Sequence, residues 1–186
     1  MGDALRIGVS LAADVIPRGT IRRFRVGVFV FHGADTAAVV EPLAVLSVAA
    51  SLEPAIATAL IGESLDAVRT AAGVAVTPAY TLFTAPALDA LIIPSGAEVR
   101  SPRTNRALYN FVRTQPVECL LVSVNTGGRV DRRGRGWDRP RLADSGRLIT
   151  AFGERSGADV ALHLLRRAGC DRAFVDAVER RFRELQ

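Results

Sequence analysis

A chain of 186 residues, 49% hydrophobic but only 6% aromatic, is long enough to bury a core of its own and reads as one aliphatic-cored unit rather than a disordered chain. Its net charge of +5 is carried on the cationic side entirely by arginine, so Schiff-base lysine chemistry is excluded. Two cysteines and two histidines are too few for a disulfide scaffold or a multi-histidine zinc site, and no metal or other cofactor is expected.

The opening residues 1–24 read as an N-terminal extension ending in the basic group Arg18, Arg22, Arg23 and Arg25, and residues 25–186 as one α/β domain. With Asp3 and no basic segment before its apolar part, the extension does not fit a signal peptide. Nor does any apolar run approach the ~20 residues of a membrane span, so the expectation is a cytoplasmic protein without membrane contact.

Arg25–Phe31 is β-branched and reads as the first buried strand, breaking at His32-Gly33. Asp35 suits a cap on a short turn. Pro42 predicts a helix from that residue to about Ser51, with Glu41 held out of the helical region by the proline ring. Pro54–Gly62 is a second strand in βαβ order, which implies a parallel sheet. Residues 67–76 read as a hairpin turning at Gly73, and Tyr80–Phe83 with Pro86 as a connector.

Ala87–Pro94 is a third strand, ending at Ser95-Gly96, and Thr104–Thr114 has helical spacing. Cys119–Val124 reads as the central strand, running into Asn125-Thr126-Gly127-Gly128, the place where a nucleophile elbow sits in an α/β domain. Residues 128–141 hold six arginines, two aspartates, three glycines and Trp137, as in an exposed loop. Aspartates interrupt the charge run and no helix-turn-helix pattern follows, which disfavours direct nucleic-acid binding. Leu148–Ala151 is a short strand, and Gly157–Ala168 and Asp171–Leu185 are amphipathic helices.

Four blocks now stand in order: FHGADTAAVVEPLAVLSVAA, ALDALIIPSGAEV, LVSVNTGG and GRLITAFGERSGADVALHLL. Together they resemble the ThiJ/PfpI superfamily, most closely its isonitrile-hydratase-like branch, which is also similar to the sensor domain of AraC-type regulators. The resemblance implies a flavodoxin-like, three-layer α/β/α sandwich of the class I glutamine amidotransferase type, and a homodimer. This sequence departs from the pattern at four places, one of them the helix and histidine-containing strand after the elbow, which are largely replaced by the Arg-rich segment 128–141. Asn125 stands where the family puts its cysteine, Ala38 where it puts its acid, and Ser95-Gly96 where it puts a glycine pair.

The residues that remain define a candidate site. Asn125 tolerates the left-handed backbone of an elbow and presents an amide. The amides of Thr126 and Gly127, with that of Gly96, would form a small site for an anion or a carbonyl oxygen. Glu41, three residues from the family's acid position, is either a helix cap or a general acid or base. His32 ends a strand on the carboxyl edge, where open α/β sheets bind ligands. Trp137 with an arginine could close over such a pocket as a lid. His163 and Asp159 read as helix positions packed on the sheet.

Two functions fit these residues. One is a cysteine-independent enzyme, hydratase, lyase or hydrolase in type, acting on a small carbonyl- or nitrile-like molecule. Asn125 would polarise the substrate, and Glu41 or His32 would move the proton. The other is a non-catalytic pseudoenzyme that binds or senses a small molecule.

Overall fold

The computed structural model describes residues 22–96, 105–124, 142–153 and 155–185. Asn125, Thr126, Gly127, Trp137 and the whole Arg-rich segment 128–141 lie outside them. A seven-stranded sheet runs in the order β5-β2-β1-β6-β7-β9-β8. Its strands are β1 (Phe24–Phe29), β2 (Ile56–Gly62), β5 (Tyr80–Thr81), β6 (Ala90–Pro94), β7 (Leu120–Val124), β8 (Leu142–Asp144) and β9 (Leu148–Ala151). All pairings are parallel except β8 on β9. A separate two-stranded hairpin joins β3 (Val68–Arg69) to β4 (Ala75–Val76), turning at Gly73 with φ +82°.

The inner strands are apolar on both faces, as a sheet covered by helices requires: β6 is buried at every residue. It is β6, rather than β7, that stands at the centre. Each fully buried leucine, isoleucine or phenylalanine contributes roughly 1.5–3 kcal/mol, and Phe29, Leu46, Ile61, Leu91, Ile92, Leu108, Ile149, Leu164 and Leu165 all qualify.

Helix α1 (Thr36–Leu52) is apolar almost all round because it is covered on two sides, by β1 and β2 and by α3 (Ser156–Arg167) and α4 (Arg172–Arg183). Helix α2 (Arg106–Thr114) buries only Leu108 and Phe111. The crossover β1-α1-β2 moves one way along the sheet and β6-α2-β7 the other. Right-handed crossovers therefore put α1 and α2 on opposite faces, the α/β/α arrangement of flavodoxin-like folds. No helix among the described residues is long and apolar enough to cross a membrane.

Three expectations need correction. The helix begins at Thr36, six residues before Pro42, because the Asp35 carboxylate accepts from the Ala37 and Ala38 amides at 3.0 and 3.3 Å and caps it there. Glu41 and Pro42 consequently both lie inside α1. An interior proline removes one helical hydrogen bond and normally costs ~3 kcal/mol. Here its ring packs against α3, where a Cβ on Gly157 would stand 2.7 Å from Pro42 Cδ. Tyr80–Thr81 is a parallel edge strand rather than a connector, and β8 is a strand that alternation in so short a run does not reveal.

Candidate functional site

The carboxyl edge of the sheet is where β1, β6 and β7 end. The connections reverse direction between β1 and β6, and the crevice at such a switch point is the usual ligand site in open α/β sheets. Here main-chain bonds tie its rim together. Ala34 and Gly96 form an antiparallel bridge, Asp35 N–H donates to Ser95 O at 2.7 Å, and Ser95 N–H donates to Val124 O at 2.8 Å. Ser95 Oγ also lies 3.4 Å from Asp35 Oδ2. The cap of α1 is thereby tied through Ser95 to the last described residue of β7. Gly96 is needed for a steric reason, since a Cβ there would fall 2.5 and 2.7 Å from the Phe31 ring.

Glu41 lies on the helical side of the sheet that holds α1, α3 and α4. Its Oε2 accepts from the Ala158 amide at 3.3 Å, the third residue of α3, doing from another helix what an N-cap side chain does within one. The residue at the α3 N-cap position, Arg155, supplies no side-chain cap and sits in the left-handed region at φ 62°, ψ 13°, unusual for a residue with a Cβ. Gly157 gives Glu41 room, since a Cβ there would stand 3.0 Å from Glu41 Cβ and Oε2.

His32 belongs to a different environment. The hairpin β3-β4 is stitched to the loop after β1 by Gly33 N–H to Arg69 O, Ala71 N–H to Ala34 O, and the Thr36 hydroxyl to that of Thr70, each at 2.8 Å. In the same set Arg69 N–H donates to His32 Nδ1 at 3.2 Å. With its Nδ1 lone pair engaged, the ring carries its proton on Nε2 and presents a donor. The structure does not bring His32 and Glu41 together.

What His32 does face is a cleft of about 520 Å³ floored by Val30, Phe31 and Val68 and walled by His32, Glu63, Ser64, Asp66, Asn105 and Arg106. Asn105 caps α2 through Leu108 N–H at 2.9 Å and donates its side-chain amide to Glu63 Oε1, fixing that carboxylate at the cleft wall. Sequence reading missed Glu63, Asn105 and Arg106. The rule that ligands gather beyond strand carboxyl ends points at Glu63, the first residue after β2.

A second cavity of about 590 Å³ lies at the opposite, amino edge, among Arg22, Arg23, Arg25, Asp89, Glu118, Cys119 and Arg167. Its guanidinium groups are largely engaged. Arg22 pairs with Asp89 at 2.8 Å, Arg25 donates to Ala87 O at 2.8 Å, and Arg167 pairs with Asp144 at 2.6 Å. His163 and Arg167 together hold the Asp144 carboxyl down to about 2. This fixes the β8-β9 hairpin to α3, so His163 has a defined hydrogen-bond partner. Both cysteines are buried, and burial pushes each thiol up to about 11, away from thiolate chemistry. Among the described residues, no group of three His, Cys, Asp or Glu is placed to hold a metal ion.

No protein-family model and no curated protein matches the sequence. Solved structures do match. A ThiJ/PfpI family protein from Pseudomonas syringae superposes with a TM-score of 0.70 at 18% identity, over 91% of this chain and 82% of its own. A cysteine-to-alanine variant of a DJ-1 superfamily protein from Salmonella typhimurium gives 0.70 at 19%, over 86% and 98%. Oxidized DJ-1 from Toxoplasma gondii gives 0.67 at 19%, over 85% and 97%. The fold is that of the DJ-1/ThiJ/PfpI proteins. Among the described residues of this DJ-1/ThiJ/PfpI fold, three groups near the carboxyl edge that could accept a proton are already bonded to backbone amides: Asp35 to α1, Glu41 to α3 and His32 to β3.

Proposed function

We propose that the chain is a divergent member of the ThiJ/PfpI superfamily that binds a small molecule at the carboxyl edge of its sheet without transforming it. One observation carries this reading: Asp35 Oδ1, Glu41 Oε2 and His32 Nδ1 accept bonds that hold the fold together, so a proton taken up by any of the three groups would weaken or displace a structural bond. Asn125, at the position the family gives to cysteine, offers an amide and no covalent nucleophile. The cleft beside His32 has an apolar floor, polar walls and the size of a ligand pocket.

A second reading is an enzyme that uses Asn125 and the amides of Thr126, Gly127 and Gly96 on a small carbonyl- or nitrile-like substrate, in the manner the isonitrile-hydratase-like branch suggests. The left-handed backbone of Arg155, at the same edge, favours it, because strain of this kind gathers at active sites. A thermal-shift screen, with the ligand recovered and weighed by mass spectrometry, separates the two. At a hundredfold excess over Kd a bound ligand raises Tm by roughly 5–10 °C. The binding reading predicts that it is recovered unchanged; conversion to product, lost in Asn125→Ala, would establish the enzyme instead.

A further inference from the structure

Resting on that binding reading, we infer that the cleft beside His32 takes a small zwitterion of the α-amino-acid type. Its walls carry both signs of charge: Glu63 and Asp66 are carboxylates, and Arg106 is a guanidinium. The carboxylates are held in place rather than neutralised by cations. Glu63 accepts from the Asn105 amide, and Asp66 from the Ser64 hydroxyl at 2.9 Å. Among the described residues neither forms an ion pair, and neither does Arg106. Elsewhere on this chain opposite charges that meet do pair, as Arg22 with Asp89 and Arg167 with Asp144. In the cleft they face a common space of about 520 Å³ instead.

A ligand with an ammonium at one end and a carboxylate at the other satisfies both sets at once. The ammonium has three N–H donors for Glu63 and Asp66. The carboxylate accepts from the fork of Arg106 and from His32 Nε2–H, which the Arg69 amide orients by holding Nδ1. Val30, Phe31 and Val68 beneath supply apolar surface for a side chain. A lone cation would leave Arg106 repelling it, and a lone anion would meet two carboxylates. A metal ion does not fit, since these residues form no cation-holding group.

The test uses the whole chain, labelled with ¹⁵N and titrated with each of the twenty amino acids separately. The strongest binder is then compared with its decarboxylated amine and its deaminated acid. The expected result is saturable movement of the Glu63, Ser64, Arg69, Arg106 and Ala107 amides, with each half-molecule binding at least tenfold more weakly. Arg106→Ala should weaken the amino acid tenfold or more without weakening the amine, and Glu63→Gln should weaken the amino acid likewise without weakening the acid. Both side chains are exposed, so a folded circular dichroism spectrum is expected of each variant. Equal binding by the amine or the acid overturns the zwitterion. If no amino acid moves these amides but another small molecule does, the ligand class falls and the binding reading stands. If nothing in a broad library moves them, both fall.

Discussion

At the scale of single residues, the carboxyl edge is governed by what each side chain must avoid as much as by what it bonds. Gly96 is the clearest case. The Phe31 ring occupies the place of its missing side chain, with Gly33 O only 2.8 Å from the same point, and Phe31 itself stacks on Phe29 at 5.7 Å between ring centroids. Because the ring is buried and the carbonyl is backbone, neither can yield cheaply. Gly96→Ala should therefore destabilise the protein by about 1–3 kcal/mol in urea unfolding; a change below ~0.5 kcal/mol would mean that the ring has room to move. His32 was legible in sequence as a carboxyl-edge group and Glu41 as a helix cap or a general acid or base. Their partners were not, because Arg69 and Ala158 reach them only through the tertiary fold, 37 and 117 residues away.

Between elements, caps decide where helices start, and here they outweighed a local signal. Pro42 prefers a first helical turn, yet α1 starts at Thr36, just after Asp35, whose carboxylate satisfies two otherwise orphaned amides. Strands with long apolar runs, such as β1 and β2, were legible to within two residues at each end. β5 and β8, two and three residues long, exist only because a neighbouring strand offers them a partner. The β8-β9 hairpin is joined to α3 by Asp144, His163 and Arg167. Because the folded Asp144 carboxyl lies at about 2, below its ordinary value, the unfolded chain takes up its proton first as pH falls. The stability it contributes is complete above roughly pH 4 and is lost between there and about pH 2. Chemical denaturation across that range should show the loss, and Asp144→Asn should flatten it; an identical acid profile in the variant would remove Asp144 from the account.

At the scale of the whole molecule, the parallel sheet was readable from βαβ alternation, and the three layers were implied by the resemblance of the four sequence blocks to the superfamily whose fold the chain adopts. The cleft was not readable, because its walls come from the ends of β1 and β2 and the start of α2, three places with no common sequence signal. The central claim is that Asp35, Glu41 and His32 spend acceptors on structure. Glu41 tests it most directly, since as a cap it holds α3 and as a general acid or base it would not be needed for folding. The decisive measurement is the unfolding free energy of Glu41→Ala beside Glu41→Gln, each with ligand binding at the cleft followed in parallel. The account predicts a loss of about 0.5–2 kcal/mol in Glu41→Ala, a smaller loss in Glu41→Gln, which keeps an acceptor oxygen, and unchanged binding in both. Wild-type stability in both variants, with a catalysed reaction abolished, would contradict it.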